Sequence, residues 1–246
     1  MSKRNIEIHV ENVSKQFKEV VALDGVSLRF ENGRLYGLIG PAGAGKTTLF
    51  RIMLGLMNAN QGTVFYNKKG NKIPFAEIQE HIAYMPQSQS LYADLSVDEH
   101  LDFFRKLYGL SNRDYKKKKS ELVKLARLED FLNRPAGKLS GGMYKKLGLI
   151  CALLRSPQIM FLDEPTNGVD PISRREFWNL LNDAQNKVIM VLMSTAYMDE
   201  AERCSDVVLM EQGHVLAVGA PDDLLRQYNS RNFDELFLSR GGMENE

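Results

Sequence analysis

Gly40-Pro41-Ala42-Gly43-Ala44-Gly45-Lys46-Thr47, followed by Thr48, is a run whose residue types suit the cradling of phosphate groups. Glycines let successive backbone N–H groups converge on an anion, and the start of a following helix adds partial positive charge. Lys46 supplies a mobile point charge to the terminal phosphates, and the Thr47 hydroxyl can ligate Mg²⁺. The flanks agree: Leu35–Ile39 reads as a buried strand running in, and Thr47–Met53 as a helix running out. Further along, the apolar run Ile159-Met160-Phe161-Leu162 ends in two carboxylates, Asp163 and Glu164. Beside a phosphate loop, Asp163 is placed to organise a Mg²⁺ shell and Glu164 to polarise an attacking water. The two motifs together specify a nucleotide phosphatase or kinase and nothing narrower.

Leu139-Ser140-Gly141-Gly142-Met143 lies between them. Ser140 and the glycine N–H groups open an apolar helix, Met143–Leu154, and make a second anion site. Two phosphate-binding helix starts serve one γ-phosphate only when the sites face each other across a dimer. The segment resembles the signature of ABC transporter ATPases, and the chain is similar to that family over roughly Ile6–Val218.

That resemblance implies an α/β P-loop NTPase fold of the ABC ATPase type, ATP and Mg²⁺ as ligands, and a head-to-tail dimer. The partner would be a second copy or a homologous ATPase subunit. It makes residues 40–48 the ATP cradle, with Ser140, Gly141 and Gly142 closing over the ATP of the partner subunit. Phe17 stands where an aromatic ring stacks on adenine, and Asp170, in Asn167-Gly168-Val169-Asp170, where a carboxylate reaches across the dimer. Gln87 matches the glutamine that contacts Mg²⁺ or water and links the site to a helical subdomain, so Thr47, Gln87 and Asp163 form the implied metal set. Gln87–Val97, Ser194–Cys204 and Asn232–Leu238 are similar to ATPases of ABC-2 or multidrug exporters, which power a separate membrane permease from its cytoplasmic face. One position departs from the pattern. The family's switch histidine is replaced by Ala196, and none of His9, His81, His100 and His214 aligns with it, which implies slow hydrolysis. An ATP-driven switch with little turnover, and an ABC-type ATPase outside transport, are the other readings.

The elements that must position these residues follow from patterning. Ile6, Ile8 and Val10 alternate with polar residues, which predicts a half-buried strand of a small antiparallel sheet. Leu35–Ile39, Ile159–Leu162 and Val188–Leu192 are nearly continuous apolar runs, as in parallel strands covered on both faces. Val26–Phe30, Gly62–Tyr66, Ile82–Met85, Val207–Met210 and Val215–Val218 are further strand candidates. Ser96-Val97-Asp98-Glu99 is a capping box, with Leu101, Phe104, Leu107 and Tyr108 at helical spacing behind it. The expected organisation is an α/β core over 1–85 and 153–220, an inserted helical subdomain over 86–152, and a helical tail over 221–246.

The formal charge is +1 from 32 basic and 31 acidic residues, so the balance asks for no nucleic-acid partner. The lysine run 116–119 reads as a solvated helix surface, and Cys151 and Cys204 as small buried hydrophobes. No apolar run approaches the roughly 20 residues that cross a bilayer. The expectation is a soluble chain that reaches a membrane only through a partner.

Overall fold

The computed structural model describes residues 6–88, 90–185 and 190–241. By contact the chain divides into two compact units, residues 1–80 with 189–246, and residues 81–188. In chain order the elements begin with β1 (Ile6–Phe17), β2 (Val20–Glu31), β3 (Arg34–Ile39), α1 (Lys46–Met53), β4 (Gln61–Lys68), β5 (Asn71–Ile73) and α2 (Phe75–Ile78). They continue with β6 (Ile82–Met85), α3 (Val97–Leu107), α4 (Asn112–Ala126), α5 (Gly141–Leu153), β7 (Ile159–Asp163) and α6 (Pro171–Gln185). The last are β8 (Met190–Thr195), β9 (Asp206–Glu211), β10 (His214–Gly219), α7 (Pro221–Gln227) and α8 (Phe233–Gly241).

In the first unit an antiparallel sheet runs β2-β1-β4-β5. The alternation at its start is the cause of its two-sidedness: Ile6, Ile8 and Val10 are buried while Glu7 and His9 between them are not. β2 runs as one strand from Val20 through the expected Val26–Phe30, because the hairpin carries pairing from Phe17↔Val20 onward through several register shifts. The same unit holds β3 between two parallel neighbours, β8 and β9, with β10 antiparallel at the edge. A strand flanked and covered in this way buries both faces, and Leu35, Leu38 and Ile39 are at most 1% exposed. β8 begins at Met190, and Val188 and Ile189 of the expected strand lie outside the described residues.

The second unit pairs β6 and β7 in parallel, Ile82↔Ile159 through Met85↔Leu162. α3 carries the expected capping box: the Ser96 hydroxyl accepts from the Glu99 N–H, and the Glu99 carboxylate accepts from the Ser96 N–H. α4 starts at Ser111, whose hydroxyl accepts from the Asp114 N–H, and ends where Arg127 turns left-handed, φ 56°. The lysine run on α4 is not a uniform solvated surface. Lys118 donates to the Leu154 carbonyl at 3.0 Å and Lys119 pairs with Asp98, leaving Lys116 and Lys117 exposed. α5 begins at Gly141, two residues earlier than expected, because the Ser140 hydroxyl caps it by accepting from the Met143 N–H. Its Lys146, 5% exposed, is neutralised by Glu176 of α6 at 2.9 Å, which holds the Glu176 carboxyl below its ordinary range.

Cys151 and Cys204 are free and buried, and burial raises both thiols far above the usual cysteine range. His100 is fully buried, while His9 lies half-buried on the antiparallel sheet, stacked on Phe65. Among the described residues no helix is long and apolar enough to cross a membrane.

Candidate functional site

In the first unit the phosphate loop connects β3 to α1. Gly45 has φ 99°, and a Cβ there would come within 2.4 Å of the Ala22 carbonyl oxygen, so both backbone conformation and space demand glycine. The Gly40 N–H donates to the Thr195 carbonyl at 3.2 Å, and the Gly213 N–H donates to the Ala44 carbonyl at 3.2 Å. These bonds fix the loop to the ends of β8 and β9. The Lys46 ammonium is nearly buried, at 4% exposure, and donates to the carbonyls of Gly40 and Pro41 at 2.7 and 2.8 Å. It is thereby held over the loop it serves. Thr47 and Thr48 are half-buried in the first turn of α1.

Two other predicted positions lie in this unit. Phe17 ends β1, 43% exposed, with the Lys15 ammonium 5.3 Å from its ring centre. Its hairpin partner β2 is the strand whose Ala22 meets Gly45, so the hairpin runs beside the loop. Ala196 is exposed and directly follows Thr195, the residue bonded to Gly40.

The second unit gathers the carboxylates. Asp163 closes β7, is fully buried, and accepts from the Tyr84 hydroxyl at 3.3 Å. Glu164 is 8% exposed and left-handed, φ 46°, a conformation that costs a non-glycine residue on the order of 1 kcal/mol. Its Oε2 accepts from Gln87 Nε2 at 2.8 Å and from Asn167 Nδ2 at 3.0 Å. Strain at the end of a buried strand, with two donors aiming one carboxylate, is the arrangement of a positioned base. Asp163 offers a hard oxygen suited to Mg²⁺, which needs only one or two protein oxygens when phosphates supply the rest. No group of three His, Cys, Asp or Glu side chains suited to a metal ion exists among the described residues.

The signature residues open α5. Gly142 packs so closely on α6 that an added Cβ would lie 2.3 Å from the Ser173 Cβ, while Gly141 and Ser140 stay exposed. Asp170 caps α6, its Oδ1 accepting from the N–H groups of Ile172 and Ser173, and those bonds hold its carboxyl below the usual range.

The sequence model of ABC transporters matches residues 23–167, from within β2 to the turn after Glu164. The chain belongs to the ABC transporter family. Among curated relatives it is 38% identical, over 89% of its length, to the probable multidrug ABC transporter ATP-binding protein YbhF of Escherichia coli (strain K12), of which it spans 38%. It is 35% identical, over 91% of its length, to the Nod factor export ATP-binding protein I of Sinorhizobium fredii (strain NBRC 101917 / NGR234), of which it spans 66%. A solved ATP-binding subunit of an ABC transporter superposes with a TM-score of 0.80 at 30% identity, covering 95% of this chain and 99% of that one. The α/β P-loop NTPase fold of the ABC ATPases is therefore the fold of this chain.

Sequence reasoning did not single out Tyr84 or the contact of Asn167 with Glu164. Tyr84 becomes visible only once β6 is known to lie beside β7, where the Tyr84↔Phe161 register brings its hydroxyl to Asp163. The Asn167 contact follows from the turn in which the Asn167 N–H donates to the Glu164 carbonyl at 3.2 Å.

Proposed function

We propose that this ABC family member binds MgATP and hydrolyses it to drive a separate membrane permease of the exporter type, acting peripherally on the cytoplasmic face. The observation that carries the reading is the strained, doubly held Glu164 carboxylate at the end of a buried strand. Residues 40–48 grip the phosphates through N–H groups and the Lys46 charge, and Phe17 supplies a ring for adenine. Thr47 and Asp163 would hold Mg²⁺, with Gln87 bordering its shell. When bound, the ion neutralises phosphate charge. Glu164 takes a proton from the attacking water. Gln87 and Asn167 keep its carboxylate aimed. Ala196 offers no hydrogen bond to the developing charge, so turnover is slow while binding stays intact. The relatives' printed names, multidrug and Nod factor export, support the exporter assignment.

Lys46→Ala is the test of this reading. It removes charge-assisted hydrogen bonds, each worth about 1.5–3 kcal/mol, so MgATP affinity should fall roughly 10- to 100-fold with the fold intact. Calorimetry showing unchanged affinity in a folded variant would sink the phosphate-site assignment.

Closure is proposed to be head-to-tail, with exposed Ser140 and Gly141 of one subunit covering the ATP of a second copy or homologue. In the Glu164→Gln background, light scattering should show an ATP-dependent dimer of the chain. Adding Ser140→Glu should abolish it by setting negative charge against phosphate. A monomer at saturating MgATP before that addition counts against the homodimer and for a heterologous partner.

A further inference from the structure

Beyond Gln87, the described residues Ser88 and Ser90–Leu95 belong to no helix or strand, and Ser88, Ser90, Tyr92, Ala93 and Asp94 are exposed. A cavity of about 60 Å³ is lined by Ser88, Leu91, Tyr108, Tyr144 and Gly148 among others. A segment that exposes most of its residues and borders a void gains little from packing. Hydrogen bonds must place it.

The downstream half is tied by backbone: the Gly137 N–H donates to the Ala93 carbonyl at 2.9 Å, and the Ala136 N–H to the Leu95 carbonyl at 2.8 Å. The upstream half depends on side chains. The buried Tyr144 hydroxyl accepts from the Leu91 N–H at 2.8 Å and donates to the Leu91 carbonyl at 3.4 Å. Lys145 Nζ donates to the Gln87 carbonyl at 3.4 Å. His100, fully buried, donates from Nδ1 to the Ser96 carbonyl at 2.9 Å, which leaves Nε2 to accept from the Tyr92 N–H at 3.0 Å. Tyr144 sits one turn into α5, its own N–H donating to the Ser140 carbonyl at 2.8 Å.

We infer that Tyr144 and His100 are positioning residues that fix the segment after Gln87 to the signature helix and to α3, and so set Gln87 on Glu164. One helical turn separates Ser140 from Tyr144. The Tyr144 hydroxyl thus ties Leu91 to the first turn of α5, and Gln87, four residues before Leu91, holds the Glu164 carboxylate through its side-chain amide at 2.8 Å. The proposal rests on the reading above that Glu164 acts on ATP.

The test uses the full chain with MgATP and three variants. Tyr144→Phe keeps the ring and removes only the hydroxyl. His100→Leu removes both bonds, and His100→Gln restores an acceptor at about the reach of Nε2. Tyr144→Phe and His100→Leu are expected to speed amide exchange at Leu91 and Tyr92 about tenfold without nucleotide. Each should lower kcat roughly three- to tenfold, the scale of one or two ordinary hydrogen bonds, with KM for ATP unchanged within about twofold. His100→Gln should recover most of both losses. Unchanged exchange in both removal variants overturns the clamp. Faster exchange with unchanged kcat, or a kcat loss matched by a shift in KM, overturns its role in positioning Gln87. Exchange without nucleotide reads the clamp alone, whereas retained ATP affinity in Lys46→Ala removes the functional reading and leaves the exchange result standing.

Discussion

Replacing Glu164 by glutamine is expected to reduce ATP turnover by about 10²–10⁴-fold, the range for a positioned general base, while leaving MgATP affinity nearly unchanged. The side chains are isosteric, and the amide oxygen can turn toward the Gln87 and Asn167 donors now 2.8 and 3.0 Å from the carboxylate. That keeps the local geometry and presents an NH₂ group where the base had an oxygen. The left-handed backbone at position 164 is unaffected, so thermal stability should change little. Single-turnover hydrolysis with calorimetry separates the two effects. Turnover within tenfold of the parent would show that another group accepts the proton.

Ala196→His is expected to act in the opposite direction. A missing positioned donor typically costs on the order of 10²–10³ in turnover, about 2.7–4 kcal/mol, and restoring it should return at least tenfold of that. The site can take the ring: Ala196 is exposed, and it follows the residue whose carbonyl accepts from the Gly40 N–H at 3.2 Å. Affinity should change little, because in the proposed site Lys46 and the loop N–H groups would still hold the phosphates. In the Glu164→Gln background the gain should vanish, since a positioned donor has no base to work with. Equal steady-state rates in the parent and Ala196→His would show that position 196 does not hold the family's switch residue.

The phosphate loop was legible because its chemistry is contiguous. Residues 40–48 supply the glycines, the lysine and the hydroxyls in one stretch, and the buried strand before them and the helix after them carry their own hydrophobic patterns. The caps at Ser96 and Ser140 are local in the same sense, each a hydroxyl meeting an N–H three residues on. Even so, the start of α5 shifted by two residues, because a helix begins at its cap and not at its first large apolar residue.

Amino-acid order alone therefore determined the phosphate loop, the strand-borne carboxylate pair, the signature turn and the absence of a histidine at position 196. Each is a short run whose backbone and side chains act together. Tertiary structure alone decided that Gln87 holds Glu164, since Gln87 is 77 residues away in the chain and reaches it only because β6 lies parallel to β7. It also tied Lys118 to the Leu154 carbonyl and Lys119 to Asp98, and closed Tyr144 and His100 onto Leu91 and Tyr92. Such contacts depend on which strands pair and which helix faces meet, and a hydrogen bond of a few ångströms leaves no trace in residue spacing when its partners are distant in sequence.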